Sequence, residues 1–385
     1  MITIMVVGAG YAGLAAVTSL AGRLRGRDDV HVALVDASDR FTERLRLHQV
    51  ASGQHPAEFR IPELLAGTGV EFVRARVTGL DAAARTVRLD DERELRYDTL
   101  VYALGAVADT DAVPGAADHA ETLDTLDSAT RVATRLAALG TGRVVVCGSG
   151  LTGVEAAAEI AESHPALRVT LLGRDAPGST LGPKARAHLT AALARLGVRV
   201  RTGVIRAVHP HAVQLDDGEP EPADLVLWTS GVRVAPLAAK AGLDVDERNR
   251  IVTDATLRSV SHPEIYAVGD AAAVRQTFGT LHGTCQSGMP TGVGAAVAIV
   301  RALDGRTPKP FRFGYLHVPI SLGRHDAVVQ FTRPDDSPKR AALTGRSARW
   351  YKETVSAAPW PAFGRTLKAP RTAVLGWRRG GRHTR

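Results

Sequence analysis

Cysteine is all but missing from this 385-residue sequence: only Cys147 and Cys285 occur, one inside an apolar run and one just ahead of a helical stretch. Two thiols so far apart make neither a disulfide framework nor a metal site. They suit a reducing compartment, so a cytoplasmic protein with no bound metal is expected. No apolar run approaches the roughly 18 residues of a membrane span. The N-terminus is already strand-like and lacks the basic, apolar and small-residue regions of a signal peptide, so no targeting segment is expected. Aromatic residues are few and Gly and Ala abundant, in alternating strand-like and helix-like runs, which points to an α/β class. Acids are scarce in one place. Residues 337–385 hold twelve Lys or Arg against the single acid Glu353, so the net charge of +8 belongs to the tail and the rest of the chain is slightly acidic.

What is present is glycine in a particular order. The apolar run from Ile4 ends in Gly8-Ala9-Gly10-Tyr11-Ala12-Gly13 and continues into the Ala-rich residues 14–20. This predicts strand, tight turn, helix. Gly8 permits the turn, Gly10 lets backbone approach a pyrophosphate, Gly13 lets the helix pack on the strand, and the helix N-terminus receives the negative charge. A second apolar run, residues 30–35, ends in Asp36, whose carboxylate can accept two ribose hydroxyls.

The same order recurs 140 residues later. Residues 143–147 lead into Gly148-Ser149-Gly150-Leu151-Thr152-Gly153, and residues 169–172 repeat the second strand. Strand-like runs at 70–77 and 86–89 correspond to 198–204 and 213–215, and the buried run 97–105, ending in Gly105, corresponds to 225–231, ending in Gly231. A further strand runs into Gly269-Asp270. Residues 285–292 then lead to an Ala/Val-rich helix expected to begin near Thr291 and end about Leu303. Pro-rich residues 307–311 read as a linker to a smaller unit with strand-like pieces at 318–322 and 327–331. Two dinucleotide folds imply two nucleotides.

Two glycine fingerprints, two strands ending in glycine and a late Val-Gly-Asp together resemble the two-dinucleotide-binding-domain flavoproteins. Within them the set is nearest the type II NADH dehydrogenases and related FAD-containing NAD(P)H oxidoreductases, over residues 1 to about 305. The resemblance implies two Rossmann-like domains, an FAD domain at 1–110 and 235–306 and an NAD(P)H domain at 111–234, followed by a small C-terminal domain with the basic tail at 307–385. It places FAD against Gly8, Gly10, Tyr11, Ala12, Gly13, Asp36, Gln49, Val77, Gly105, Gly269, Asp270 and Pro290. NAD(P)H would lie against Gly148, Gly150, Thr152, Gly153, Arg174 and Gly231. Glu155 fits the family's Gly-x-Gly-x-x-Gly-x-Glu. It would orient the nicotinamide or deliver a proton, unless it is simply an acid favoured in a first helical turn. The helix expected near Thr291 would turn its positive end toward the flavin.

The departures are informative. Where an NADH site would carry an acid, the chain has Gly173-Arg174, which favours NADPH over NADH because a guanidinium can pair with a 2′-phosphate. No redox cysteine pair is present, so electrons must pass directly to an acceptor. Gln286 keeps one glutamine of the segment that type II dehydrogenases place at the flavin, but Pro290 replaces the other. His48-Gln49 stands where relatives tend to have Pro-Glu. His48 could donate to an acceptor carbonyl or merely fix a loop. The expected function is transfer of hydride from NAD(P)H to FAD and of two electrons to a quinone-like small molecule. Reduction of a redox protein or a biosynthetic intermediate, and a nucleotide-sensing flavoprotein with little turnover, are the alternatives. Trp350, Trp360 and Trp377 sit in the basic tail with Tyr351 and Phe363, a composition that suits an anionic membrane surface, here the inner membrane face, as well as a packed tail. Pro359, Pro361 and Pro370 leave 342–358 as the one sizeable helix expected there. No nucleic-acid reading motif accompanies the charge, so nucleic acid is not an expected partner. Whether the chain forms a homodimer is left open.

Overall fold

The apolar run that feeds the first glycine turn forms the strand Ile2–Val7, buried from Ile4 onward. In the computed structural model, which describes residues 1–374, it is the middle strand of a five-stranded parallel sheet. The order is Ile265–Ala267, Thr99–Tyr102, Ile2–Val7, Val30–Asp36, Glu71–Arg74. The second copy builds the same object: Arg199–Thr202, Leu167–Gly173, Gly142–Cys147, Leu225–Trp228, Ala120–Thr122, again all parallel. Both glycine turns therefore open at the carboxyl ends of central strands, where open α/β sheets bind ligands. The helices Tyr11–Arg23 and Leu151–Ser163 follow the two turns, buried over residues 11–21 and 153–161. The two passages of chain between the folds are tied together where Val107–Ala108 pairs antiparallel with Val232–Arg233.

Three local expectations need correction. The run 70–77 is two strands: Glu71–Arg74 ends the parallel sheet, and Val77–Asp81 begins an antiparallel one with Thr86–Leu89 and Glu94–Arg96. The switch comes where the Ala75 N–H turns to the Asp36 carbonyl and the Arg76 N–H to the Asp90 carboxylate. The late helix spans Cys285–Leu303 and starts six residues before Thr291, because Thr284 and Ser287 form a reciprocal capping box ahead of Pro290. It crosses the helix Tyr11–Arg23 closely at Gly292, where a Cβ would lie 2.1 Å from the Ala12 carbonyl oxygen.

The tail holds the third. Residues 338–344 pair as the strand Pro338–Thr344 with Ala327–Thr332, itself paired with His317–Ser321. Gly345, at φ +65°, breaks the strand into the helix Gly345–Ala357. A second helix, Pro359–Lys368, then begins at Pro359, which starts a helix as readily as it stops one. Its Trp360 stacks on Phe59 and Phe41 at centroid distances of 4.8 and 5.7 Å, and the Arg23 guanidinium donates to the Pro370 carbonyl at 2.8 Å. This part of the tail is packed on the first fold. Trp377 lies outside the described residues.

Candidate active site

The two glycine turns agree position by position. A Cβ at Gly13 would lie 1.8 Å from the Gly8 carbonyl oxygen, and one at Gly153 would lie 1.7 Å from that of Gly148. Gly8 and Gly148 themselves sit at φ +97° and +122°, closed against the ends of the neighbouring strands. Gly10 and Gly150 are the opposite case, with nothing within 4 Å of a built Cβ. The third glycine of each turn is thus there for packing and the second for an approach from outside.

Around the first turn, the Asp36 carboxylate accepts the N–H groups of Ala9 at 2.6 Å and Ser38 at 2.8 Å. Burial raises its pKa and these two donors partly counter that. Gly105, at φ +67°, is open, and the Gly269 N–H is held by the Thr291 hydroxyl at 2.9 Å. Among the described residues the Asp270 carboxylate accepts no hydrogen bond, although burial raises its pKa against the pull of Arg44 and His282. The Tyr11 hydroxyl is also buried without a partner, its ring edge-on to Phe41. An open glycine and a half-buried carboxylate without a hydrogen-bond partner fit the phosphates and hydroxyls of a dinucleotide such as FAD, and the buried Tyr11 hydroxyl is a further polar group without a partner. Val77 is half-buried at the start of its strand, and the buried Gln49 side chain accepts from Arg46. At the second turn Thr152 and Arg174 are exposed, Gly173 is buried against Ser149, and Gly231, at φ +76°, adjoins Asp109.

Glu155 and His48 come together, and with them a residue the sequence reading did not single out. Glu155 lies inside its helix rather than in the first turn, 7% exposed. Its Oε1 takes the Lys352 ammonium at 2.8 Å and the Ser321 N–H at 2.9 Å, while Oε2 is 3.9 Å from His48 Nδ1. Burial pushes its pKa up, but the Lys352 charge, His48 and the two hydrogen bonds outweigh that and hold it below the ordinary range. His48 is 4% exposed, and its Nε2 is buried without a partner. Burial lowers its pKa to about 4; Glu155 opposes this, while Lys352, Arg324 and Arg46 add to it, so the ring is neutral at pH 7.

This cluster is where the first fold's short helix Leu47–Ala51, the second fold's helix Leu151–Ser163 and the tail helix Gly345–Ala357 converge. Lys352 had a signal: Ala348, Lys352 and Ser356, one helical turn apart, are the buried stripe of the tail helix. Gln286 stands beside it in another capacity. Its amide donates to the His317 carbonyl at 2.9 Å and accepts the Leu316 N–H at 2.7 Å, fastening the long helix to the C-terminal strand. Pro290 lies within that helix. Burial raises the Cys285 pKa to about 11 and that of Cys147 further, and both thiols are free.

Two parallel five-stranded folds, each with a phosphate-approachable glycine turn, define a two-nucleotide oxidoreductase. Residues 2–295 match the model of the pyridine nucleotide-disulphide oxidoreductases, and the chain belongs to that family, as an oxidoreductase that works with FAD and a nicotinamide nucleotide. It is 32% identical over 380 residues to an NADH dehydrogenase-like protein of Mycobacterium tuberculosis, covering 92% of this chain and 93% of that one. It is 30% identical to the demethylphylloquinone reductase NdbB of Synechocystis, covering 91% of each. The solved sulfide:quinone oxidoreductase of Aquifex aeolicus superposes with a TM-score of 0.80 at 17% identity, over 97% of this chain and 94% of that one.

Proposed function

We propose that the chain is an NAD(P)H:quinone oxidoreductase in which the first fold holds FAD and the second holds the nicotinamide nucleotide. The observation that carries the division is the partnerless Asp270 carboxylate beside the open Gly10 turn, with Asp36 at the adjoining strand end. The second turn has no such carboxylate directly after its strand. Gly173 is followed by the exposed Arg174, which supports NADPH as the preferred donor. When bound, FAD supplies the two-electron chemistry. The chain's own residues bind and orient. Gly10 and Gly150 admit pyrophosphates, Asp36 and Asp270 accept sugar hydroxyls, and Gln286 fixes the helix whose N-terminus begins at Cys285.

A quinone acceptor leaves with protons as well as electrons. Lys352 is the cation of the buried cluster, and the free Nε2 of neutral His48 is a hydrogen-bonding position for a carbonyl. The relatives named above include a quinone reductase. Contact with an anionic membrane is supported by Trp350, 71% exposed on the same helix as the exposed Arg346 and Arg349. Among the described residues no helix is long and apolar enough to cross a membrane. The test is anaerobic mixing of FAD-loaded protein with NADPH and with NADH, followed by a panel of quinones and a ferredoxin. Flavin bleaching that is reversed by quinones is expected. Failure to bind FAD, or reoxidation by the redox protein alone, would overturn the reading.

A further inference from the structure

Gln49 is held from one side only. It lies in the short helix Leu47–Ala51, 5% exposed, and its Oε1 accepts from Arg46 Nη1 at 3.2 Å. A guanidinium has donors and no acceptor, so it fixes which end of the amide faces it. The carbonyl oxygen must point to Arg46 and the NH2 group away from it. Among the described residues neither of those two N–H groups reaches an acceptor. Buried amides are ordinarily satisfied at both ends, which leaves two donors for a ligand.

Arg46 is itself clamped. Its Nη1 also donates to Glu353 Oε2 of the tail helix at 3.0 Å, and its Nε lies 3.6 Å from Glu43 Oε2. Glu353 Oε1 accepts from Arg324 Nη1 at 3.1 Å. The Arg46 side chain is 14% exposed, so water competes little for these bonds. The same guanidinium faces the Tyr11 phenol of the first glycine turn, and so does the Cys285 thiol at the head of the long helix. Cys285 in turn faces Asp270. Arg46 and the amide it holds thus stand beside the first glycine turn, among the groups to which FAD is assigned above.

We propose that Arg46 is a positioning residue that turns the Gln49 amide N–H groups toward a carbonyl oxygen of the flavin ring and thereby raises the potential of the bound flavin. The inference rests on the FAD reading. Ring carbonyl oxygens gain negative charge when the flavin takes up electrons, and a fixed donor holds the charged form more tightly than the neutral one. An amide turned the other way would set its own oxygen against that charge and lower the potential. The two ends of a glutamine amide are nearly alike in shape, so packing alone does not choose between them. The guanidinium does. Glu353 ties that choice to the docked tail helix, and Arg46 acts through Gln49.

The experiment measures the two-electron midpoint potential of the FAD holoenzyme by anaerobic titration against dyes of known potential. The proteins are wild type, Arg46→Met, Arg46→Lys, Gln49→Leu and the double variant Arg46→Met with Gln49→Leu; KM for a water-soluble short-chain quinone is read beside the potential. Loss of one hydrogen bond to the reduced ring shifts the redox equilibrium roughly 10-fold, which is about 30 mV for a two-electron couple. Both single variants and the double variant are expected to lie below wild type by that same amount, because each change removes the same interaction. Arg46→Lys, again a donor without an acceptor, is expected to keep the equilibrium within about 2-fold of wild type. Shifts that add in the double variant overturn the proposal in favour of a direct effect of the Arg46 charge. An unchanged potential with a raised KM overturns it in favour of an amide that serves the acceptor. Should Arg46→Met not fold, a wild-type potential in Gln49→Leu, or one in Arg46→Lys as low as in Gln49→Leu, overturns it equally. A wild type that binds no FAD overturns the FAD reading and this inference with it, whereas an FAD-loaded wild type whose potential no variant moves overturns this inference alone.

Discussion

Replacing Lys352 by Met removes a cation and keeps most of the side-chain volume, which isolates the charge that Glu155 depends on. At the observed 2.8 Å the pair attracts by about 6 kcal/mol at an effective dielectric constant of about 20. Part of that is offset by the desolvation of both groups, and breaking a buried pair typically costs about 3–5 kcal/mol. Glu155 has an escape, which is to take up a proton. Neutralising a carboxyl of ordinary pKa costs about 1.4 kcal/mol per pH unit above that value, hence about 3–4 kcal/mol at pH 7 and 1–2 kcal/mol at pH 5.5.

The sign follows from the two pKa shifts. In the wild type the folded pKa of Glu155 is depressed, so its stabilisation is present above the unfolded value and lost as pH falls through the folded one. In Lys352→Met burial is opposed only by the Ser321 N–H and His48, and the folded pKa is expected to rise, so stability is greatest below the unfolded value and declines as pH rises. The variant should therefore melt progressively further below wild type between pH 5.5 and pH 8, followed by differential scanning fluorimetry. Lys352→Met combined with Glu155→Gln should recover most of the loss at pH 8. A melting difference that is the same at every pH, and is not recovered in the double variant, would refute the electrostatic account.

Arg174→Ala should lower kcat/KM for NADPH by about 10-fold relative to NADH, the scale of one charge-assisted hydrogen bond; an unchanged ratio removes the argument for NADPH. Gly13→Ala drives a methyl into the Gly8 carbonyl oxygen, and the cost of overpacking, roughly 1–3 kcal/mol or more, should appear as a lower melting temperature and weaker FAD retention in equilibrium dialysis. Trp350→Ala should leave the melting temperature within about 2 °C of wild type and weaken sedimentation with phosphatidylserine vesicles. Trp360→Ala should cost about 2–4 kcal/mol in thermal denaturation, because its ring is stacked between tail and first fold.

The repeat made the paired sheets legible, because each glycine turn is read from spacing alone and its strand, turn and helix are local in sequence. Asp36, at the end of its predicted strand, was equally legible. What resisted was set by contacts from afar. Lys352 is one of twelve cations in the tail and differs from its neighbours only in lying on the buried stripe of a helix. Pro359 does end the helix Gly345–Ala357, as propensity suggests, but it also opens a second helix, Pro359–Lys368, which the breaker reading left out. Gln286 looks like a residue aimed at a substrate, but the backbone groups of Leu316 and His317, thirty residues onward, hold its amide.

The Lys352 to Glu155 contact also bears on the order in which the protein is made. Both parallel sheets have all their strands once Ala267 has been synthesised, so both nucleotide folds can close as the chain leaves the ribosome. Glu155 has no cation at that stage, and a carboxylate is not buried without one at low cost. The face of the second fold that carries it must stay hydrated until the helix Gly345–Ala357 emerges and Lys352 docks. Docking of the helix Gly345–Ala357 thus comes after closure of both sheets, and with it the burial of Glu155.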